Sequence, residues 1–151
     1  MAIFVTDGVF LAHKYRLPKQ IIDFIRTHHG TTRTEYFYRT YRNNHPDADA
    51  SIEARFTYPG PRPFSRETAL LMMADSIEAA SRTLKVITED TLTALVNKIV
   101  EHQQNAQQFD DSDLTLRDIA TAKRVFIAKL KNFYHSRIEY PDEVKENKKS
   151  N

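Results

Sequence analysis

Apolar residues recur three and four positions apart along most of this chain, and this spacing constrains its fold more than any other feature. Ile21, Phe24 and Ile25 show the pattern early, and Leu92 and Val96 show it again later. Such spacing places apolar side chains on one face of an α-helix. The chain has only 3 glycines and lacks the alternation of apolar and polar residues typical of strands. The sequence therefore predicts an all-α fold of about six helices.

The periodic segments and their capping residues predict where the helices lie. Ser65 and Thr88 are suited to cap helices, and Thr115 with Asp118 forms a capping-box pattern. Prolines and glycine between 44 and 65 predict a long connection. We expect one domain over 1–141 and a charged, disordered tail over 142–151. The predicted helices cover 7–16, 18–30, 31–43, 66–85, 88–104 and 115 to about 140.

Composition excludes several classes of function. Lys and Arg number 22 against 20 for Asp and Glu, a net charge of +2, and no basic stripe is confined to one face, which disfavours a nucleic-acid polymer as partner. The absence of cysteine excludes a thiolate nucleophile and a zinc finger. The sequence also lacks a nucleophile elbow and a glycine-rich phosphate loop. Water activated by a metal ion is the hydrolytic chemistry that remains.

Two adjacent histidines, His28 and His29, lie at the end of the second predicted helix, and Asp75 interrupts the most apolar run of the chain. The histidine pair can hold a metal, relay a proton or hydrogen-bond to the fold. Successive residues on a helix point about 100° apart, so both rings can meet one ion only if the helix bends, which Gly30 permits. With the Asp75 carboxylate, this donor set suits manganese, iron or zinc.

Spacing alone also allows a simpler interpretation of Asp75. Asp75, Glu78 and Arg82 share one face of the predicted helix, so Arg82 can form an ordinary surface ion pair with either carboxylate. Spacing slightly favours this ion pair over a metal site.

Six motifs occur in order along the chain. They are TDGV at 6–9, IIDFI at 21–25, HHGTT at 28–32, YPGPRP at 58–63, ADSIEAASR at 74–82 and YHSRIEYP at 134–141. With these motifs the chain resembles the cytoplasmic HD domain of membrane-bound cyclic-di-AMP phosphodiesterases, the seven-transmembrane HD hydrolases. The resemblance covers nearly the whole chain except the tail.

The resemblance implies a function and its residues. It implies a two-metal centre, with manganese or iron, that activates water to cleave cyclic di-AMP to the linear dinucleotide. His28 and His29 match the paired histidine ligands of one metal, and Asp75 matches a later aspartate ligand. The resemblance also implies a cytoplasmic location, with a longer protein anchored in the inner (plasma) membrane.

Further residues are candidates for contact with the cyclic dinucleotide. The candidates for phosphate contacts are Arg82, Thr31 and Thr32, and Tyr58 or Tyr36 can stack on adenine. Each of these residues also has an ordinary capping or packing role available.

The chain departs from the family pattern at the metal ligands. The family's first histidine and its His-Asp pair have no counterpart here, and Phe4 stands where another ligand histidine normally lies. We therefore expect the C-terminal part of an HD domain, without the domain's N-terminal helices, that binds metal weakly and is close to inactive alone. Apolar surface normally covered by those helices predicts a homodimer. The alternative is a non-catalytic helical module that senses a nucleotide or binds a protein.

Overall fold

The computed structural model of the chain describes residues 2–135, with side chains from Val5 onward. The all-α prediction is confirmed, because residues 2–135 form helices and no strand. A 3-10 helix over Ala50–Phe56 lies between the third and fourth α-helices. The α-helices are α1 (Ala2–Lys14), α2 (Lys19–Thr27), α3 (Glu35–Asn44), α4 (Arg66–Ser81), α5 (Glu89–Asn105) and α6 (Leu116–His135).

The core lies between α4, α5 and α6. α5 packs against both α4 and α6, while α2 packs on α4 and α1 packs on α2. Each large apolar side chain buried there contributes about 1.5 to 3 kcal/mol relative to exposure. This packing makes α4 the central helix of the described chain. Its buried apolar cluster consists of Ala69, Met72, Met73, Ile77, Val96, Val100, Phe109, Ile119 and Ala122.

Local side-chain hydrogen bonds begin three of the helices, as the sequence predicts. The Thr68 backbone N–H donates to Ser65 Oγ at 3.2 Å at the start of α4. The Thr91 N–H donates to Thr88 Oγ1 at 3.1 Å at the start of α5. Before α6, the Thr115 N–H donates to Asp118 Oδ2 at 2.9 Å. Each bond satisfies a backbone donor that the helix itself leaves unpaired.

Several predicted helix boundaries are wrong. α1 begins at Ala2 instead of residue 7, and α4 ends at Ser81 instead of residue 85. The last turn of α4 tightens, because the Thr83 N–H donates to the Ala80 carbonyl at 3.0 Å. The predicted end of the last helix near residue 140 and the tail over 142–151 lie outside the described residues.

The third predicted helix starts four residues too early, because 31–34 pairs with a distant segment. The Tyr58 N–H donates to the Thr32 carbonyl at 2.9 Å, and the Thr34 N–H donates to the Phe56 carbonyl at 2.8 Å. An isolated antiparallel bridge between Arg33 and Thr57 joins the two segments. This pairing places the proline-rich loop beside the residues that follow the histidines.

Two large side chains that helical spacing places on the apolar faces of α4 and α6 are exposed. Leu70 is 36% exposed and Phe133 is 48% exposed. Leu70 borders an apolar groove of about 620 Å³ between α2, α4 and α6, whose lining includes Leu71, Val125 and Phe126. We call this feature the α4–α6 groove. No described helix is both long and apolar enough to cross a membrane.

Candidate functional site

The two histidines lie at a sharp change of chain direction. α2 ends at Thr27, whose fully buried side chain donates from Oγ1 to the Asp23 carbonyl at 2.7 Å. Gly30 then adopts a φ of 52°, a left-handed conformation that glycine accepts without steric cost. The predicted break at Gly30 is therefore present. The imidazole rings of His28 and His29 lie with centroids 3.9 Å apart.

A backbone hydrogen bond orients the His28 ring. His28 Nδ1 lies 2.7 Å from the Ile25 carbonyl oxygen. Because a carbonyl only accepts, Nδ1 carries the proton and a neutral ring keeps its lone pair on Nε2. Metal-ligating histidines are commonly held this way, with the other ring N–H on a backbone carbonyl. His28 is thus arranged as a ligand or an acceptor through Nε2.

His29 and Tyr58 form a stacked pair. Their ring centroids are 4.3 Å apart, with 25° between the ring planes. Burial, and secondarily the neighbouring His28 ring, lowers the pKa of His29 below the usual value for histidine, while the Asp75 carboxylate opposes this. A lowered pKa favours the neutral imidazole, the form that binds metal or accepts a proton.

The Asp75 carboxylate on α4 affects Tyr58 as well as His29. Burial raises the pKa of the Tyr58 hydroxyl, and the negative charge of Asp75 adds to that effect. Asp75 itself is exposed. Residues from the end of α2, the proline-rich loop and α4 therefore converge, and these are His28, His29, Tyr58 and Asp75.

The donors fit part of a metal centre. Two imidazoles and one carboxylate are the donor types that manganese, iron and zinc accept. Within the described residues, however, no group of three or more His, Cys, Asp or Glu side chains is placed to hold an ion. The residue types therefore fit the implied metal, and the described residues do not form a full ligand set.

Thr31 and Thr32 lie beside the histidines, and both hydroxyls bond to the protein. Thr32 Oγ1 donates to the His29 carbonyl at 2.7 Å. Gln108 Nε2 donates to Thr31 Oγ1 at 3.0 Å, and the Thr31 backbone N–H donates to Gln108 Oε1 at 2.9 Å. Both threonines thus hold the turn in place, and the ligand contact predicted for them stays a prediction.

Arg82 forms an ion pair with Glu78, the surface pair that helical spacing predicted as the alternative to a metal site. Its Nε lies 2.7 Å from Glu78 Oε1, and both side chains are exposed. Seven residues separate Arg82 from Asp75, which corresponds to about 10 Å along a helix. The structure therefore places Arg82 about two turns away from the four converging side chains.

Gln108 is the residue that sequence reasoning missed at this site. Its side chain is 2% exposed and packs where a Cβ at position 30 would clash with its Oε1. Gln108 lies 77 positions from Thr31, and no local pattern marks a glutamine in a turn as the partner of a distant backbone. Neither histidine spacing nor helix periodicity could have identified it.

Arg62 ties the proline-rich loop to the turn that carries Gln108. Arg62 Nε donates to Asp111 Oδ2 at 2.9 Å, and Nη1 donates to the Gln107 carbonyl at 2.9 Å. The loop that carries Tyr58 is therefore fixed at one end to 31–34 and at the other to the turn after α5.

Comparison with known proteins shows that the chain is similar in sequence to PgpH cyclic-di-AMP phosphodiesterases. No protein-family model matches the chain. It is 36% identical over 140 residues to the cyclic-di-AMP phosphodiesterase PgpH of Bacillus subtilis (strain 168), which covers 93% of the chain and 19% of the relative. It is 35% identical over 137 residues to PgpH of Listeria monocytogenes serotype 1/2a (strain 10403S), which covers 91% of the chain and 19% of that relative. The chain spans about a fifth of the length of these relatives.

The fold matches solved structures as well. The HD domain of L. monocytogenes PgpH in complex with cyclic-di-AMP superposes with a TM-score of 0.81 and 32% identity, covering 86% of this chain and 59% of that domain. A second structure of that HD domain gives a TM-score of 0.79 and 31% identity, covering 87% of this chain and 60% of that chain. The all-α architecture is therefore the architecture of part of an HD domain.

Proposed function

Since the chain is homologous to part of the HD domain of the PgpH cyclic-di-AMP phosphodiesterases, we propose that it provides part of a metal-dependent phosphodiesterase site for a cyclic dinucleotide. The convergence of His28, His29, Tyr58 and Asp75 carries this proposal. Cyclic di-AMP is the proposed substrate because the structurally similar HD domain of L. monocytogenes PgpH was solved in complex with it. We also propose that this part is cytoplasmic and belongs to a longer, membrane-anchored protein, as the family resemblance implies.

Three residues would hold a divalent metal in this proposal. His28 would bind through Nε2, because Nδ1 is engaged by the Ile25 carbonyl. The lowered pKa of His29 favours its neutral, metal-binding form, and Asp75 supplies a negative charge beside it. The bound metal would supply an activated water for attack on the phosphodiester. Tyr58 keeps the His29 ring in place by stacking on one of its faces.

Metal binding by the 151-residue chain tests the assignment of these residues. We expect weak Mn²⁺ binding by isothermal titration calorimetry, weakened further by His28→Ala, His29→Ala or Asp75→Asn. Loss of an outer-shell partner commonly costs about 10-fold to 100-fold in metal affinity, so loss of a ligand should cost at least about tenfold. His13→Ala, at an exposed histidine on α1, is the matched control. Equal binding by all four variants would overturn the assignment.

Hydrolysis by the same chain tests how complete the site is. A two-metal centre needs ligands for both ions, and two imidazoles with one carboxylate are too few. We therefore expect hydrolysis of cyclic di-AMP with added Mn²⁺ to stay close to the rate without protein. Fast hydrolysis abolished by His29→Ala would show that the site is complete and would contradict this expectation.

The second candidate function is a non-catalytic nucleotide-sensing module. It is favoured by one observation, the lack of a group of three metal-binding side chains among the described residues. A sensor would bind cyclic di-AMP with the same affinity in EDTA and in Mn²⁺. A phosphodiesterase part would instead bind the nucleotide more tightly with Mn²⁺, and this gain would be lost in Asp75→Asn.

A further inference from the structure

A basic cleft of about 570 Å³ lies between the start of α3 and helices α4 and α5. Four basic side chains line it, Arg33, Arg39, Lys98 and His102, and its lining residues in the described chain include no Asp or Glu. These side chains come from three separate segments, so the fold gathers them. We call this feature the basic cleft.

Two of the four basic groups are free to meet a ligand. Lys98 and His102 are exposed and lie four residues apart on α5, which places them on one face of the helix. Across residues 5–135, neither side chain has a hydrogen-bond or ion-pair partner. A lysine ammonium carries three donors, and a protonated imidazole carries two.

The two arginines are partly engaged, and they line the opposite side of the cleft. Arg33 Nε lies 2.7 Å from Glu35 Oε1, and Arg39 Nε lies 3.2 Å from Glu35 Oε2. Arg33 Nη1 also lies 2.6 Å from Glu53 Oε1. These carboxylates hold the guanidinium groups in place, and the Arg33 guanidinium also lies over the Tyr38 ring, 4.2 Å from its centroid. Among the described residues, Arg33 Nη2 and both Nη atoms of Arg39 have no hydrogen-bond partner.

The buried Gln103 side chain lines the cleft, and its amide oxygen lacks a hydrogen-bond partner among the described residues. Gln103 is 3% exposed, and its Nε2 donates to Ser76 Oγ at 2.9 Å. Its Oε1 has no hydrogen-bond partner among the described residues. Buried polar atoms are normally paired, so this acceptor suits a ligand that brings a hydroxyl or amino donor. A nucleotide carries such donors together with phosphate anions.

The cleft adjoins the candidate metal site through two of its residues. Thr32 lines the cleft and donates from Oγ1 to the His29 carbonyl at 2.7 Å. Ser76 also lines it and directly follows Asp75 on α4. A ligand held at the histidines can therefore extend into the cleft.

We infer that the basic cleft binds a phosphate group of a nucleotide, with Lys98 and His102 as its principal contacts. This inference rests on the proposed function for the identity of the nucleotide, a cyclic dinucleotide whose second phosphate lies away from the histidines. The binding of phosphate itself depends only on the basic groups. It needs no metal, because none of the four is among the proposed metal ligands.

Binding to the whole 151-residue chain in EDTA tests the inference. The probes are inorganic phosphate, AMP and cyclic di-AMP, each titrated by calorimetry at low ionic strength. A hydrogen bond to a charged group corresponds to about a tenfold change in affinity, so Lys98→Ala with His102→Ala should weaken nucleotide binding by about tenfold or more. Lys129→Ala, at an exposed lysine on α6, is the matched control and should bind as the unaltered chain does.

A second variant and a structural readout localise the binding. Lys98→Glu reverses one charge at an exposed position and should abolish binding while leaving the melting temperature unchanged. In NMR titrations, the amides of Thr32 and Ser76 should shift with nucleotide in the unaltered chain. Binding that survives both variants, or that Lys129→Ala weakens equally, overturns the inference.

The outcome separates this inference from the proposed function. Lys98-dependent binding of nucleotide in EDTA, with no Mn²⁺ binding at His28 and His29, would support the cleft and refute the metal site. Loss of Mn²⁺ affinity in Asp75→Asn, with nucleotide binding in EDTA unaffected by Lys98→Glu, would refute the cleft and support the metal site.

Discussion

The Gln108 carboxamide fixes the chain direction immediately after the two histidines. It is 2% exposed and bonds to Thr31 through both its oxygen and its nitrogen. It also donates from Nε2 to the Ala106 carbonyl at 2.9 Å. One side chain therefore links the turn after α5 to the turn after α2.

Replacing Gln108 should destabilise the protein. Gln108→Ala removes a buried side chain and leaves the Thr31 N–H and the Ala106 carbonyl without their partner, so we expect a loss of about 2 kcal/mol or more in the free energy of unfolding. Urea denaturation monitored by circular dichroism measures it. Gln104→Ala, four residues earlier in the last turn of α5, is the control. A change below about 0.5 kcal/mol, typical of a surface substitution, would contradict the role given to Gln108.

Asp118 should make stability depend on acidic pH. The backbone N–H of Thr115 first, and its hydroxyl second, lower the pKa of the Asp118 carboxyl below its ordinary value. The stabilisation is therefore fully present above the unfolded pKa of about 3.9 and is lost as the pH falls through the lower folded pKa.

Comparing Asp118→Asn with the unaltered chain tests this dependence. The gap between their urea midpoints should be largest near pH 6 and should close as the pH approaches 2. Asp113→Asn, at an exposed carboxylate in the loop before α6, is the control. A pH-independent gap for Asp118→Asn would refute the charge-based explanation.

At the scale of the helices, interactions within a few residues were predictable and distant ones were not. The caps at Ser65, Thr88 and Thr115 were correctly predicted because each bond joins residues three positions apart. The segment 31–34 was predicted as helix because its partner, 56–58, lies more than 20 positions away. Tertiary pairing there overrides local preference.

The same distinction applies to the candidate site. His28, His29 and Asp75 were noticed because an adjacent histidine pair and a carboxylate in an apolar run are unusual in the sequence itself. Gln108 and the basic cleft went unnoticed because they depend on residues from separate helices. Tyr58 was named as a ligand contact, and the structure adds its stacking on His29.

The capping box of α4 offers a test at this scale. Ser65→Ala removes the acceptor of the Thr68 N–H, and loss of such a cap typically costs about 1 kcal/mol. We expect a lower thermal midpoint, with the cost visible in urea denaturation. Ser51→Ala, at an exposed serine of the 3-10 helix, should change stability far less. Equal effects from the two variants would contradict the capping role.

At the scale of the whole molecule, much apolar surface faces solvent. Phe10 is 67% exposed and Tyr15 is 69% exposed on α1, and Leu71 and Val125 border the α4–α6 groove. Apolar surface of this kind commonly mediates association. The homodimer expected from the sequence remains a prediction, and the α4–α6 groove is the surface that we expect to form its interface.

Sedimentation equilibrium tests the dimer. We expect the average mass to rise with concentration, and Leu71→Asp or Val125→Asp to return the chain to a monomer. Val86→Asp, at a residue 61% exposed that does not line the groove, is the control. A monomer at every concentration would refute the prediction, and equal loss of association in the control would refute the role of the groove.

The stacking of Tyr58 on His29 also gives the molecule an optical handle. The chain contains seven tyrosines and no tryptophan, so Tyr58→Trp would introduce a single indole at that position. At excitation wavelengths where tyrosine does not absorb, all of the fluorescence would come from this indole, which lies beside the two imidazoles. Quenching by a protonated or metal-bound His29 would then let fluorescence report the state of the site without any enzymatic turnover.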